Sequence, residues 1–198
     1  MSVIALRKDN KTYIACDSLV DEYNFKYISR CEENYSIFPA KGAKNVLMGH
    51  IGSDRECDLL KTVQLIPSEY KDADIDYALV VTVIVPAIFD ALEKAKYLEK
   101  EPFGSLRRFG SRLILATPKK IFVINNDGAV TAFDEYAAIG MGGADVILMG
   151  GLSSNKEKEP KERILDSFLS LSRRGLTSSY PVVISDTDTM KFEVIEKR

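Results

Sequence analysis

The sequence predicts an α+β fold of four layers, α/β/β/α, in which two antiparallel sheets pack face to face beneath outer pairs of helices. Three observations carry this expectation. β-rich runs come in pairs around short polar turns, the pattern of antiparallel hairpins. Two blocks with helical apolar spacing interrupt them, so the order is strands, two helices, strands, two helices, strands. The chain has 198 residues, 45% hydrophobic and 28% charged, which is a globular composition with room for a sizeable core. One domain over 1–198 is therefore expected. Packing the sheets on each other, with a helix pair outside each, buries every element.

The elements follow in order. Residues 2–7 and 12–16 read as a hairpin around Asp9-Asn10. The polar stretch Asp21 to Glu33 reads as a loop or a weak hairpin. Tyr35 to Phe38 and Asn45 to Met48 form a second pair. Ser53 precedes Glu56 by three, a capping-box spacing, and Cys57, Leu59, Leu60, Val63 and Ile66 follow at helical intervals. A second helix is expected over Asp76 to Lys100, kinked or divided by Pro86. Residues 112–117, 120–125 and 129–133 read as a meander. Gly140-Met-Gly-Gly143 leads into a short apolar helix, Asp145 to Met149. Asn155 to Lys161 is a charged surface loop, and Ile164, Leu165, Phe168 and Leu171 mark an amphipathic helix. Residues 181–185 and 191–195 close the chain as a hairpin.

Several function classes lose their support at this stage. A net charge of −2 gives no reason to expect nucleic acid or an anionic membrane as partner. The longest apolar run, Ala78 to Phe89, contains Thr82 and Pro86 and is too short to span a bilayer. The chain opens without a signal-peptide pattern. Cys16, Cys31 and Cys57 are odd in number and show no CxxC spacing, which suits reduced thiols in a cytoplasmic protein. No cofactor or metal is expected. Gly140-x-Gly-Gly follows no βαβ unit, and a turn accounts for Asp186 and Asp188. His50, the single histidine, stands at a strand end and reads as packed rather than as a triad member. Cys57 reads as a core thiol on the buried face of its helix.

Five segments together resemble one known family. Ile14-Ala-Cys-Asp-Ser18 resembles the A-x-D-S after the first hairpin of proteasome β subunits and HslV-type peptidases. Tyr35 to Phe38 resembles their K-I-F strand, and Leu47 to Ser53 with Glu56 resembles their G-x-x-G-x-x-x-D at the first helix. Asn126-Asp-Gly128 and Ala138 to Gly142 resemble the d-G turn and the a-I-G-S-G before the third helix. The matches run from residue 2 to about residue 152. No segment is specific alone; their shared order and spacing carry the resemblance.

The resemblance implies a four-layer N-terminal-nucleophile hydrolase fold and a set of positions to inspect. Such enzymes attack an amide with an N-terminal hydroxyl while the free α-amine serves as base. Asp17 matches the family's aspartate, though a turn residue closing a strand would look the same. Gly52 matches the glycine whose N–H faces the oxyanion, or is a helix-start glycine chosen for backbone freedom. Counting back from Asp17 without a gap puts the nucleophile's position on Met1. Ser2 takes that role only if the hairpin is one residue shorter and Met1 is removed. Ser36 stands where the family has its lysine, Met141 where it has a serine, and Gly175 where an aspartate is expected before Ser178. Ser178 or Ser179 matches the family's late serine. The resemblance thus implies a self-associating proteasome-like subunit with weak or lost activity. The alternatives are an amide or peptide hydrolase using Ser2, or a small-molecule-binding module on the same fold. A homo-oligomer is expected, with contacts through the 76–100 helix.

Overall fold

The computed structural model describes residues 1–22, 25–28, 31–71, 74–100, 107–154, 156–174 and 180–196. The chain opens with β1 (Ser2–Lys8) and β2 (Lys11–Asp17), paired in unbroken register from Val3↔Cys16 to Lys8↔Lys11. Asp9 and Asn10 both take positive φ, 52° and 57°. That geometry belongs to the two-residue turn matching strand twist, and Asn and Asp tolerate it best. A weak hairpin follows, β3 (Leu19–Glu22) on β4 (Phe25–Ile28). Then come β5 (Ile37–Pro39), β6 (Leu47–Ile51) and α1 (Asp54–Thr62).

The second helical block departs from expectation at both its middle and its end. It runs through α2 (Tyr77–Leu79), a π turn (Val80–Ile84) and α3 (Val85–Lys94). Pro86 has no N–H to give back to Thr82, and the helix absorbs the loss by widening. The Val85 N–H reaches back five residues to Val80 O. The helix then stops at Lys94, not Lys100. Lys96 adopts φ 61°, and the Tyr97 and Lys96 N–H groups turn back to Leu92 O and Glu93 O, both at 2.9 Å. This closing motif normally uses glycine. Glu99–Lys100 instead becomes β7, paired with β8 (Arg107–Arg108).

The meander forms as β9 (Arg112–Ala116), β10 (Ile121–Ile124) and β11 (Val130–Phe133). A strand that the sequence reading did not foresee follows, β12 (Tyr136–Gly140). Its Tyr-Ala-Ala-Ile-Gly run lacks polar alternation because both of its faces are covered. Then come α4 (Ala144–Ser154), longer than expected, and α5 (Pro160–Arg173), which takes in two residues expected in the loop. β13 (Val182–Asp186) and β14 (Glu193–Ile195) end the fold.

The strands make two antiparallel five-stranded sheets, β12-β1-β2-β13-β14 and β11-β10-β9-β6-β5. Strand alternation sorts their side chains into three cores. Val3, Ala5, Ile14, Cys16, Leu47, Ile114, Val123 and Ile139 fill the layer between the sheets. Met48, Leu113, Leu115 and Phe122 face α1–α3 with Cys57, Leu60, Ile84 and Ile88. Ile4, Leu6, Ala15, Val182 and Ile184 face α4–α5 with Leu148, Ile164 and Phe168. The four-layer α/β/β/α sandwich is therefore the fold of this chain. The helices approach closely enough that a Cβ on Gly151 would lie 2.7 Å from Ser167 Oγ.

Candidate functional site

The residues singled out in the sequence gather at one end of the sandwich, where β1 begins and β2 and β6 finish. Ser2 is the first residue of β1 and pairs with Gly140 of β12. Its N–H donates to Asp17 Oδ1 at 3.2 Å. The Ser36 hydroxyl donates to Met1 Sδ at 2.9 Å, and the Ser36 carbonyl accepts the His50 N–H at 2.8 Å. Gly52 follows β6, two residues beyond His50, and Met141 follows Gly140. Ser178 and Ser179 lie outside the described residues, as does Gly175.

Being at one end does not put these side chains on one face. Met1 packs on the inter-sheet core, the side to which Val3 and Ala5 point. Ser2 alternates with Met1 and shares the face of Ile4 and Leu6, towards α4 and α5. Its cross-strand partner agrees: a Cβ built on Gly140 would meet Ala144 Cβ at 2.8 Å and Asp145 N at 2.9 Å, in the first turn of α4. The Ser2 side chain is 1% exposed, and its hydroxyl is buried with no hydrogen-bond partner among the described residues. Asp17 shares the Ser2 face, since it lies opposite Val182. The inter-sheet position at the strand's end is thus held by a thioether resting on Ser36, and Ser2 looks the other way. The ladder contains no bulge that would shift Ser2 into the place of Met1.

Gly52 is fixed by a network the sequence reading missed. Its φ is +130°, and a Cβ there would lie 2.3 Å from Gly110 O and 2.7 Å from Ser111 Cα. No side chain fits. Ser111 Oγ meets His50 Nε2 at 2.8 Å and accepts the Ser53 N–H at 3.3 Å. The same hydroxyl donates in a short bond to Glu56 Oε2, while Glu56 Oε1 accepts the Gly110 N–H at 2.8 Å. The hydroxyl has one proton, and Glu56 takes it, so His50 Nε2 must carry hydrogen. The capping-box expectation is corrected accordingly. Helix α1 does begin after Ser53, but the Ser53 side chain makes no capping bond and Glu56 turns to Gly110 and Ser111 instead.

This His-Ser-Glu cluster is no nucleophile triad. The carboxylate bonds the serine rather than the imidazole, and all three residues are buried. Burial, aided by the Lys61 charge, pushes the His50 pKa down to about 3, so the ring is neutral. Burial, with the Asp17 carboxylate beside it, pushes the Cys16 thiol far up and leaves it unreactive. A sequence signal for the network existed in Ser111-Arg112, a polar pair opening an otherwise apolar strand.

With this geometry in hand, the fold can be assigned: it is that of the proteasome-like N-terminal-nucleophile hydrolases. BPH from Thiobacillus denitrificans, in complex with epoxomicin, superposes with a TM-score of 0.70 at 18% identity, over 94% of this chain and 97% of that one. Anbu, an ancestral β-subunit from Yersinia bercovieri, gives 0.65 at 14% identity over 100% and 88%. Eukaryotic HslV from Trypanosoma brucei gives 0.61 at 13% identity over 94% and 98%. At these identities the likeness is one of fold. No family model and no curated protein sequence matches the chain.

Proposed function

We propose that this chain is a single-domain, self-associating proteasome-like subunit whose hydrolase activity is weak or lost, working in the cytoplasm. One observation carries the reading: Ser36, which by motif order stands where related sites have a lysine, brings a hydroxyl and no cation to the inter-sheet end of β1, where it donates to the Met1 thioether. Met141 by the same motif order stands where those sites have a serine, and a catalytic hydroxyl without a neighbouring cation loses orders of magnitude in rate. Self-association is supported by α2 and the π turn, where Tyr77 and Val81 stay 53% and 39% exposed, one turn apart. Among the described residues no helix is long and apolar enough to cross a membrane.

A second reading, a peptide or amide hydrolase using Ser2, draws on the Ser2 N–H already meeting Asp17 Oδ1. Removal of Met1 would turn that N–H into an amine beside a carboxylate. The two readings separate in one experiment with epoxomicin, the ligand in the Thiobacillus structure. Intact-mass analysis after incubation is expected to show no adduct, and an adduct localised to Ser2 overturns the leading reading. Light scattering at micromolar concentration is expected to give a multiple of 22.1 kDa. A clean monomer removes the self-association.

A further inference from the structure

We infer that Arg112 is a carboxylate-binding residue at the open end of the inter-sheet layer, selecting ligands that bring an acidic group to this end. The inference rests on the second reading above, in which this end of the sandwich receives a peptide or amide. Arg112 starts β9 and lies opposite Ile51 of β6. Ile51, Ile114 and Ala116 all belong to the inter-sheet core, so alternation turns Arg112 to the same side. An arginine has no place inside an apolar layer. It is tolerated here because the layer ends, and its side chain remains 36% exposed.

The guanidinium is held but not satisfied. Nη1 meets Asp145 Oδ2 at 3.2 Å, a single contact to the first turn of α4. Asp145 Oδ1 is already engaged with the Val146 N–H at 2.9 Å. A guanidinium offers five donors in a planar fork shaped for a carboxylate, and the remaining four meet no acceptor among the described residues. The loop that leads into Asp145 stands open: Cβ atoms built on Gly142 and Gly143 would have nothing within 4 Å. Met141, 65% exposed, precedes them and offers an apolar surface for the rest of a ligand. A monoanion suits the site better than a phosphate dianion, because Asp145 and Asp17 lie at the same end and would repel the second charge.

The experiment compares two N-acetylated, C-amidated peptides, Leu-Leu-Glu and Leu-Leu-Gln, titrated into the full chain and followed by calorimetry. The glutamate peptide is expected to bind about tenfold more tightly, the worth of one charge-assisted contact. The preference should shrink with added salt and vanish in Arg112→Gln. Asp145→Asn, which frees the guanidinium, should enlarge it, and this variant keeps the test decisive should Arg112→Gln fold poorly. Equal binding of the two peptides, a preference surviving in Arg112→Gln, or one unchanged in Asp145→Asn overturns the role of Arg112 alone. Binding of neither peptide overturns it together with the reading of this end as a peptide site.

Discussion

Ser36 and Met1 are joined by an O–H···S contact of 2.9 Å at the inter-sheet end of β1. The two side chains fill one space, so the identity of one constrains the other. Ser36→Lys should destabilise the chain by about 1–3 kcal/mol, because a longer cationic side chain overpacks against Met1. The same substitution in a chain starting at Ser2 should cost less, since the thioether is gone. Urea unfolding of the four variants measures this coupling, and equal costs in both backgrounds would show that the contact has no energetic weight.

Gly52 and Gly142 both have positive φ, but only Gly52 is enclosed. Gly142→Ala meets open space and should cost about 1–2 kcal/mol of left-handed backbone strain. Gly52→Ala adds a collision with Gly110 O and Ser111, and should exceed it by about 1 kcal/mol or more. Chemical denaturation ranks the pair, and the reverse order would remove the steric account of the β6–α1 turn.

How far the sequence disclosed this structure depends on whether a pattern was local. Hairpin 2–17, the start of α1 and the spacing of α5 were legible because turn residues and apolar periodicity act over a few positions. Strand β12 was not, since covering both its faces erased the alternation that marks a strand. Nor was the end of α3, where a lysine takes the left-handed position that usually announces itself as glycine. Asp17, Ser36 and Gly52, named from motif order, do come to one end of the sandwich. The side to which Ser2 points required the register, and the partner of Glu56 lies 55 residues away at Ser111.

Glu56 supplies a contrast between an expected cap and the network found. Ser53→Ala should be nearly neutral, within about 0.5 kcal/mol, because its hydroxyl caps nothing. Ser111→Ala should cost about 1–3 kcal/mol, because it leaves buried groups of His50 and Glu56 unmatched. Thermal unfolding of both decides between a capping box and the buried network.

Thiol reactivity tests the burial of the inter-sheet layer. Cys16 and Cys57 are buried and reduced, while Cys31 is exposed. Burial holds the Cys57 pKa up near 11, whereas the Cys31 thiol is raised chiefly by its hydrogen bond to Glu33, at 2.7 Å. A disulfide-exchange reagent should titrate one thiol in the native chain, and slowly, and all three in denaturant. Rapid titration of two or more native thiols contradicts the packing around Cys16 or Cys57.

The neutral His50 makes stability depend on pH in a defined window. In the unfolded chain an imidazole titrates near its ordinary 6.5, whereas burial lowers it to about 3 in the fold. Between those values the unfolded state binds a proton that the folded state refuses. The contribution is therefore fully present above about pH 6.5 and is lost as pH falls towards 3, with a slope approaching about 1.4 kcal/mol per pH unit for this one group. His50→Gln keeps a donor for Ser111 without the titration, and its stability should fall less steeply across pH 6.5 to 4. Urea unfolding of both chains at several pH values measures the two slopes. Parallel curves would mean that His50 is protonated in the fold, and the Ser111 hydroxyl would then stand between a cation and Glu56.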